Sequence, residues 1–85
     1  MIGMNTEAVH ELAAQMASIA DRIRTLEARL TSRLATTDWV GADRERFDAS
    51  WQGEHLRALR HATEALDDAA RLAADNAREQ DRASA

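Results

Sequence analysis

The sequence predicts an all-α chain: an antiparallel helix-turn-helix hairpin that dimerises into a four-helix bundle. Three observations predict it. Proline is absent and glycine occurs three times in 85 residues, which is the composition of helix. Large apolar residues recur at helical spacing through both halves of the chain. One mid-chain segment, Thr36-Thr37-Asp38-Trp39-Val40-Gly41, interrupts that pattern.

The first helix is expected over about residues 5–36. Asn5 is a good N-cap, and Glu7 falls in the first turn beside the positive helix end. Val9, Leu12, Met16, Ile19, Ile23, Leu26, Leu30 and Leu34 alternate in steps of three and four. That is a heptad seam, with Ala13 and Ala20 widening one edge. Such a helix is roughly 45 Å long at about 1.5 Å per residue.

The bend is expected at 37–41. Two β-branched threonines and Asp38 weaken the helix, and Gly41 can take the backbone angles of a tight turn. The second helix is expected over about 42–76, with a polar tail to 85, all within one domain spanning 1–85. Asp43 and Glu45 favour its start. Phe47, Trp51, Leu59 and Leu66 lead its apolar stripe, with Leu56 and Leu72 as flanks. Alanines fill the distal half. A short connection makes the two helices antiparallel neighbours. Folding about residue 40 places Trp51 near Leu26–Leu30, Leu59 opposite Ile19–Ile23 and Leu66 opposite Leu12–Met16. Asp67–Arg71 and Asp75–Arg78 are the expected pairs on the solvated face.

Two rods cannot enclose a core, and a chain this short is marginal alone. Without cysteine, disulfides and thiolate metal sites are excluded. A second chain is the simplest way to close the interior.

The chemistry-bearing residues are scattered. His55 and His61 are six apart, on different sides of a helix, and His10 lies in the other helix. No histidine pair has i, i+4 spacing. Asp67 and Asp68 are adjacent, and helix neighbours point in different directions. No metal, cofactor or catalytic residue is therefore expected, and the protein is expected not to be an enzyme. A net charge of −4, with all eleven basic residues arginine, argues against nucleic acid, which needs a basic face. No apolar run reaches the length of a membrane span. The segment Met1 to Glu7 lacks a basic start and an apolar core, so no ordinary secretory signal is expected.

Trp-x-Gly occurs twice, at Trp39-Val40-Gly41 and at Trp51-Gln52-Gly53. The second sits in helical register, with Phe47 one turn before and His55 one turn after, and is expected to be incidental. The first lies between two long helices. With Phe47 and Trp51 opening the second helix, and with this length and lack of cysteine, the chain resembles the WXG family. These are ESAT-like proteins of about a hundred residues exported by type VII secretion systems. The resemblance covers nearly the whole chain.

That resemblance implies a non-enzymatic small secreted protein or co-substrate, acting as a homodimer or as a heterodimer with a related chain. It implies that Trp39, Val40 and Gly41 form the turn read by a secretion ATPase. It also implies export from the cytoplasm without a signal peptide. The family's tail signal, Tyr-x-x-x-Asp/Glu, is expected beside the partner's bend. This chain has no tyrosine; Asn76-Ala77-Arg78-Glu79-Gln80 stands in its place. Either a partner supplies the tail signal, or the chain leaves otherwise or not at all. The alternative is a cytoplasmic helical chaperone or adaptor for a larger helical partner or toxin.

Overall fold

Asn5 caps the first helix as its residue type predicts: Oδ1 accepts from the Ala8 N–H at 3.1 Å. Helix α1 then runs unbroken over Thr6–Thr36. The computed structural model describes residues 4–84, so the expectations for Met1, Ile2, Gly3 and Ala85 lie outside it. After the bend, α2 spans Ala42–Ser50, a π-helical turn spans Trp51–His55, and α3 spans Leu56–Ser84. Among the described residues there is no strand.

The second arm packs back along α1, giving a rod of 64 × 18 × 16 Å. Its radius of gyration is 19.0 Å, where a compact domain of this length has roughly 12 Å. No helix is long and apolar enough to cross a membrane among the described residues.

The line of contact between the arms is built from small side chains. Ala13 and Ala20 of α1 are buried, as are Leu56, Thr63, Ala70 and Ala77 of α3. The α3 set repeats every seven residues, so it forms one seam on the helix. Thr63 tolerates burial because its hydroxyl donates to the Arg60 carbonyl at 2.9 Å. Ala13 and Ala20 were expected at an edge and Leu56 on a flank; all three lie at the centre of the contact. Bringing alanine to the centre lets the axes approach closely, since axis separation follows the size of the contact residues. Bulky residues are thereby turned outward.

Two further expectations are corrected. The second arm does not weaken at Asn76 but stays helical to Ser84. Ala77 is buried against α1, and the last turns are rich in alanine and arginine, both strong helix formers. The pairing of the arms is also slid by about two to three turns from a fold about residue 40. Arg60 reaches Glu27, and Arg24 reaches Asp67. Residues 37–41 lie outside the helices, and the wide π-turn advances less per residue than α-helix. Both push the second arm's residues toward the bend. Arg71 consequently pairs with Asp68 rather than Asp67, while Asp75–Arg78 forms as expected.

Candidate functional site

The bend is held by one side chain. Arg44, in the first turn of α2, reaches back across the connection to the end of α1. Its Nη2 donates to the Leu34 carbonyl at 2.7 Å. Its Nη1 donates to the Thr37 and Trp39 carbonyls at 3.1 and 2.9 Å, and its Nε donates to Asp48 Oδ2 at 3.1 Å. The last carbonyls of a helix lack internal partners, and the planar guanidinium satisfies several acceptors at once. Thr37 is the C-cap; its N–H bonds the Arg33 carbonyl at 2.9 Å, and its hydroxyl bonds the same oxygen.

Gly41 starts α2 with φ 113° and ψ −174°, a region open essentially to glycine alone. A β-carbon there would meet no neighbour within 4 Å. Glycine is therefore required by backbone conformation and not by crowding. The Gly41 carbonyl accepts from the Glu45 N–H at 3.1 Å, which closes the first turn of α2.

This turn presents Trp39 at the surface. The indole packs on Phe47, with ring centroids 5.5 Å apart and planes tilted by 50°. Trp39 remains 37% exposed, and Val40 beside it is 86% exposed. Trp39, Phe47, Asp43, Arg46, Ser50 and His55 line an open groove along the start of the second arm. The two aromatic residues give that groove an apolar floor between one acid and one arginine.

Trp51 has a different role from Trp39. It is half-buried, and its Nε1 donates to the Thr31 hydroxyl of α1 at 3.0 Å. It also anchors the π-turn: the Leu56 N–H bonds the Trp51 carbonyl, five residues back. The segment Trp51-Gln52-Gly53 is helical, as expected, but of the wide π form. Such single turns insert a residue into a helix and often mark functional positions.

The structure divides the twelve predicted core and interface residues. Val9, Met16, Ile23, Leu34, Trp51, Leu59 and Leu66 are partly buried. Leu12, Ile19, Leu26 and Leu30 are 45–51% exposed, and Phe47 is exposed beside Trp39. The four aliphatic residues form a continuous apolar line on α1.

The titratable groups do not converge. His10 bonds Asp81 Oδ2 at 3.1 Å and so ties the first helix to the end of the last. Thr6 and then His10, both placed to donate to it, hold the Asp81 carboxyl below its usual value. Arg24 is held above its usual value, chiefly by its hydrogen bond to Asp67. His55 stands 6.3 Å from Trp51, ring to ring, and His61 lies elsewhere, in a shallow depression with Arg57, Arg60 and Glu64. Among the described residues no three of His, Asp and Glu come together as a metal site would require.

Arg44 and the π-turn could not be found from the sequence. Nothing in spacing distinguishes Arg44 from the other ten arginines. Gly53 was visible, but a helical glycine signals only a weakened helix.

Comparison with known proteins gives no match: no family model, no curated protein and no solved structure corresponds to this chain.

Proposed function

We propose that this chain is a non-enzymatic protein of the WXG type, a small substrate or co-substrate of a type VII secretion system. It works as one half of a two-chain helical bundle with an identical or homologous partner. The observation that carries the proposal is Trp39. A tryptophan at a helical bend is costly to leave wet, yet Arg44 and Gly41 fix it in a surface turn with Phe47 as its main cover. A rigidly presented aromatic is a recognition device, because aromatic anchors supply much of the energy of protein contacts. The line Leu12, Ile19, Leu26 and Leu30 supports the two-chain part. Full burial of such a side chain stabilises by about 1.5–3 kcal/mol, and half of each remains to be gained.

The test is export. The protein is sought in the culture medium of strains with and without a functional secretion ATPase. Appearance that depends on the ATPase, and that Trp39→Ala abolishes without lowering helix content, is the expected result. A Trp39→Ala protein that loses its circular dichroism signal would mark the tryptophan as structural only.

A second reading is favoured by the stretch Asn76–Gln80. The second arm stays helical to Ser84 and carries no tyrosine. A stretch that is helical and without tyrosine where the family's signal is expected fits a cytoplasmic chaperone or adaptor that covers a larger helical partner. Retention in the cell with a co-purifying larger protein would favour it over export.

A further inference from the structure

The second arm carries one residue more than an unbroken α-helix can keep in phase. From Leu56 onward its buried residues recur every seven: Leu56, Thr63, Ala70 and Ala77. Carried back toward the bend, that repeat falls on Ala49 and Ala42, with Gln52 and Glu45 beside them. All four are exposed. The residues turned to α1 are instead Arg44, Asp48 and Trp51, each partly buried. Their spacings are four and three, as on one helix face, and then five separate Trp51 from Leu56. The step from Asp48 to Leu56 is eight where the rest of the arm steps by seven.

The π-turn lies in that gap. An α-turn closes with a bond four residues back, whereas here the Leu56 N–H bonds the Trp51 carbonyl five back. One residue is thus taken up without breaking the helix. Each residue turns an α-helix by about 100°. Without the insertion, the segment before Leu56 would face about 100° away from its present direction. Glu45 would then stand in place of Arg44 before the last carbonyls of α1, at a helix end that repels an anion. Gln52 would stand in place of Trp51.

No residue of α2 is fully buried, so the hold of this segment rests on polar anchors. Trp51 Nε1 donates to the Thr31 hydroxyl. Arg44 donates to the Leu34, Thr37 and Trp39 carbonyls. Both anchors need the same phase.

We propose that the π-turn is a phasing device, with Gly53 the inserted residue. It turns Trp51 and Arg44 onto α1 together and, through Arg44, aims the surface made by Trp39 and Phe47. Gly53 and its neighbours Gln52 and Glu54 are exposed, and nothing stands within 4 Å of a β-carbon built at Gly53. Glycine has the weakest helix preference after proline, so the helix departs from the α form there at least cost. The device goes beyond the proposed function: it names what places Trp39, and it needs neither export nor a second chain.

Two single deletions in the full chain test it. Removing Gly53 leaves Arg44, Asp48, Trp51 and Leu56 spaced by four, three and four. The bond from Leu56 to Trp51 becomes an ordinary α-helical one, and both anchors keep their place. Removing the exposed Ala49 also shortens the arm by one residue but sets the anchors at odds. If the π-turn stays, Asp43 replaces Arg44 before the α1 carbonyls. If it closes to the α form, Trp51 turns away from Thr31. The readouts are the melting midpoint by circular dichroism and, by NMR, the exchange with water of the Trp51 indole N–H and the Arg44 Nε–H.

Deletion of Gly53 is expected to give a midpoint at or above that of the parent chain, with both protons still protected. Deletion of Ala49 is expected to lower the midpoint by about 4–8 °C or more, the loss of one net hydrogen bond in a domain of this length, and to leave one of the two protons unprotected. Equal falls from the two deletions, or protection kept in both, would overturn the phasing and leave the proposed function untouched.

Discussion

Gly41 and Arg44 divide the work at the bend, and each makes a separate prediction. The Gly41 backbone lies where a side chain brings strain of about 1–3 kcal/mol. Gly41→Val is therefore expected to lower the unfolding free energy by that much, read as a lower urea midpoint with little change in the slope of the transition. Because nothing crowds the position, Gly41→Ala should cost nearly as much as valine. Alanine behaving like glycine would show that conformation is not the constraint. Arg44→Met leaves the Leu34, Thr37 and Trp39 carbonyls without their donor. Hydrogen bonds to a charged group contribute about 1.5–3 kcal/mol, so a loss in that range is expected. Lysine should not restore it, since a point charge cannot reproduce the planar fork. Indole fluorescence would follow, because freeing the Trp39 carbonyl loosens the turn that seats the ring on Phe47. Glycine was readable as a turn residue from its type and place. The arginine was not, because its function comes from atoms ten residues back.

The packing of α1 on α3 shows where the limits of sequence reading lie. Both helices and the start of the second arm were legible: Asn5 caps, Thr37 ends and Gly41 restarts. The direction each helix faces was not. A heptad seam of large residues suggests that the large residues meet one another. Here the closest contact follows the small ones, Ala13, Ala20, Ala70 and Ala77, and the seam is split along its length. Alanine gives little hydrophobic signal, so its role as the point of closest approach shows only in three dimensions. The slid pairing has the same origin, since a π-turn leaves no periodic trace.

A large residue at the centre of this contact should be poorly tolerated. Ala20→Leu is expected to destabilise by about 1–3 kcal/mol through overpacking. Leu72→Ala, at a residue 63% exposed, should cost the isolated hairpin little. Equal losses from the two would place the contact elsewhere. At the far end, Asp81 makes a prediction in pH. Its folded carboxyl titrates below its unfolded value. The stabilisation it brings is therefore complete above the ordinary carboxylate range and is lost as pH falls through the lowered folded value. Asp81→Asn should flatten part of the acid limb of a melting-temperature profile. An unchanged profile would show the Thr6 and His10 contacts to be without effect in solution.

As a whole the molecule is a rod with one face unfinished. Its shape departs from that of a closed domain of the same length, and four of its large aliphatic residues sit half in water. Small chains without disulfides or metals usually complete themselves by association. The ion pairs His10–Asp81, Arg24–Asp67 and Arg60–Glu27 join the arms within one chain. The uncovered line of Leu12, Ile19, Leu26 and Leu30 is what a second chain would cover. The measurement that tests it most directly is the mass in solution by light scattering, taken with urea unfolding over a range of protein concentrations. The account predicts twice the 9.4 kDa chain mass at micromolar concentration, with a midpoint that rises as protein is added. A cooperatively folded particle of one chain mass, with a midpoint independent of concentration, would contradict it.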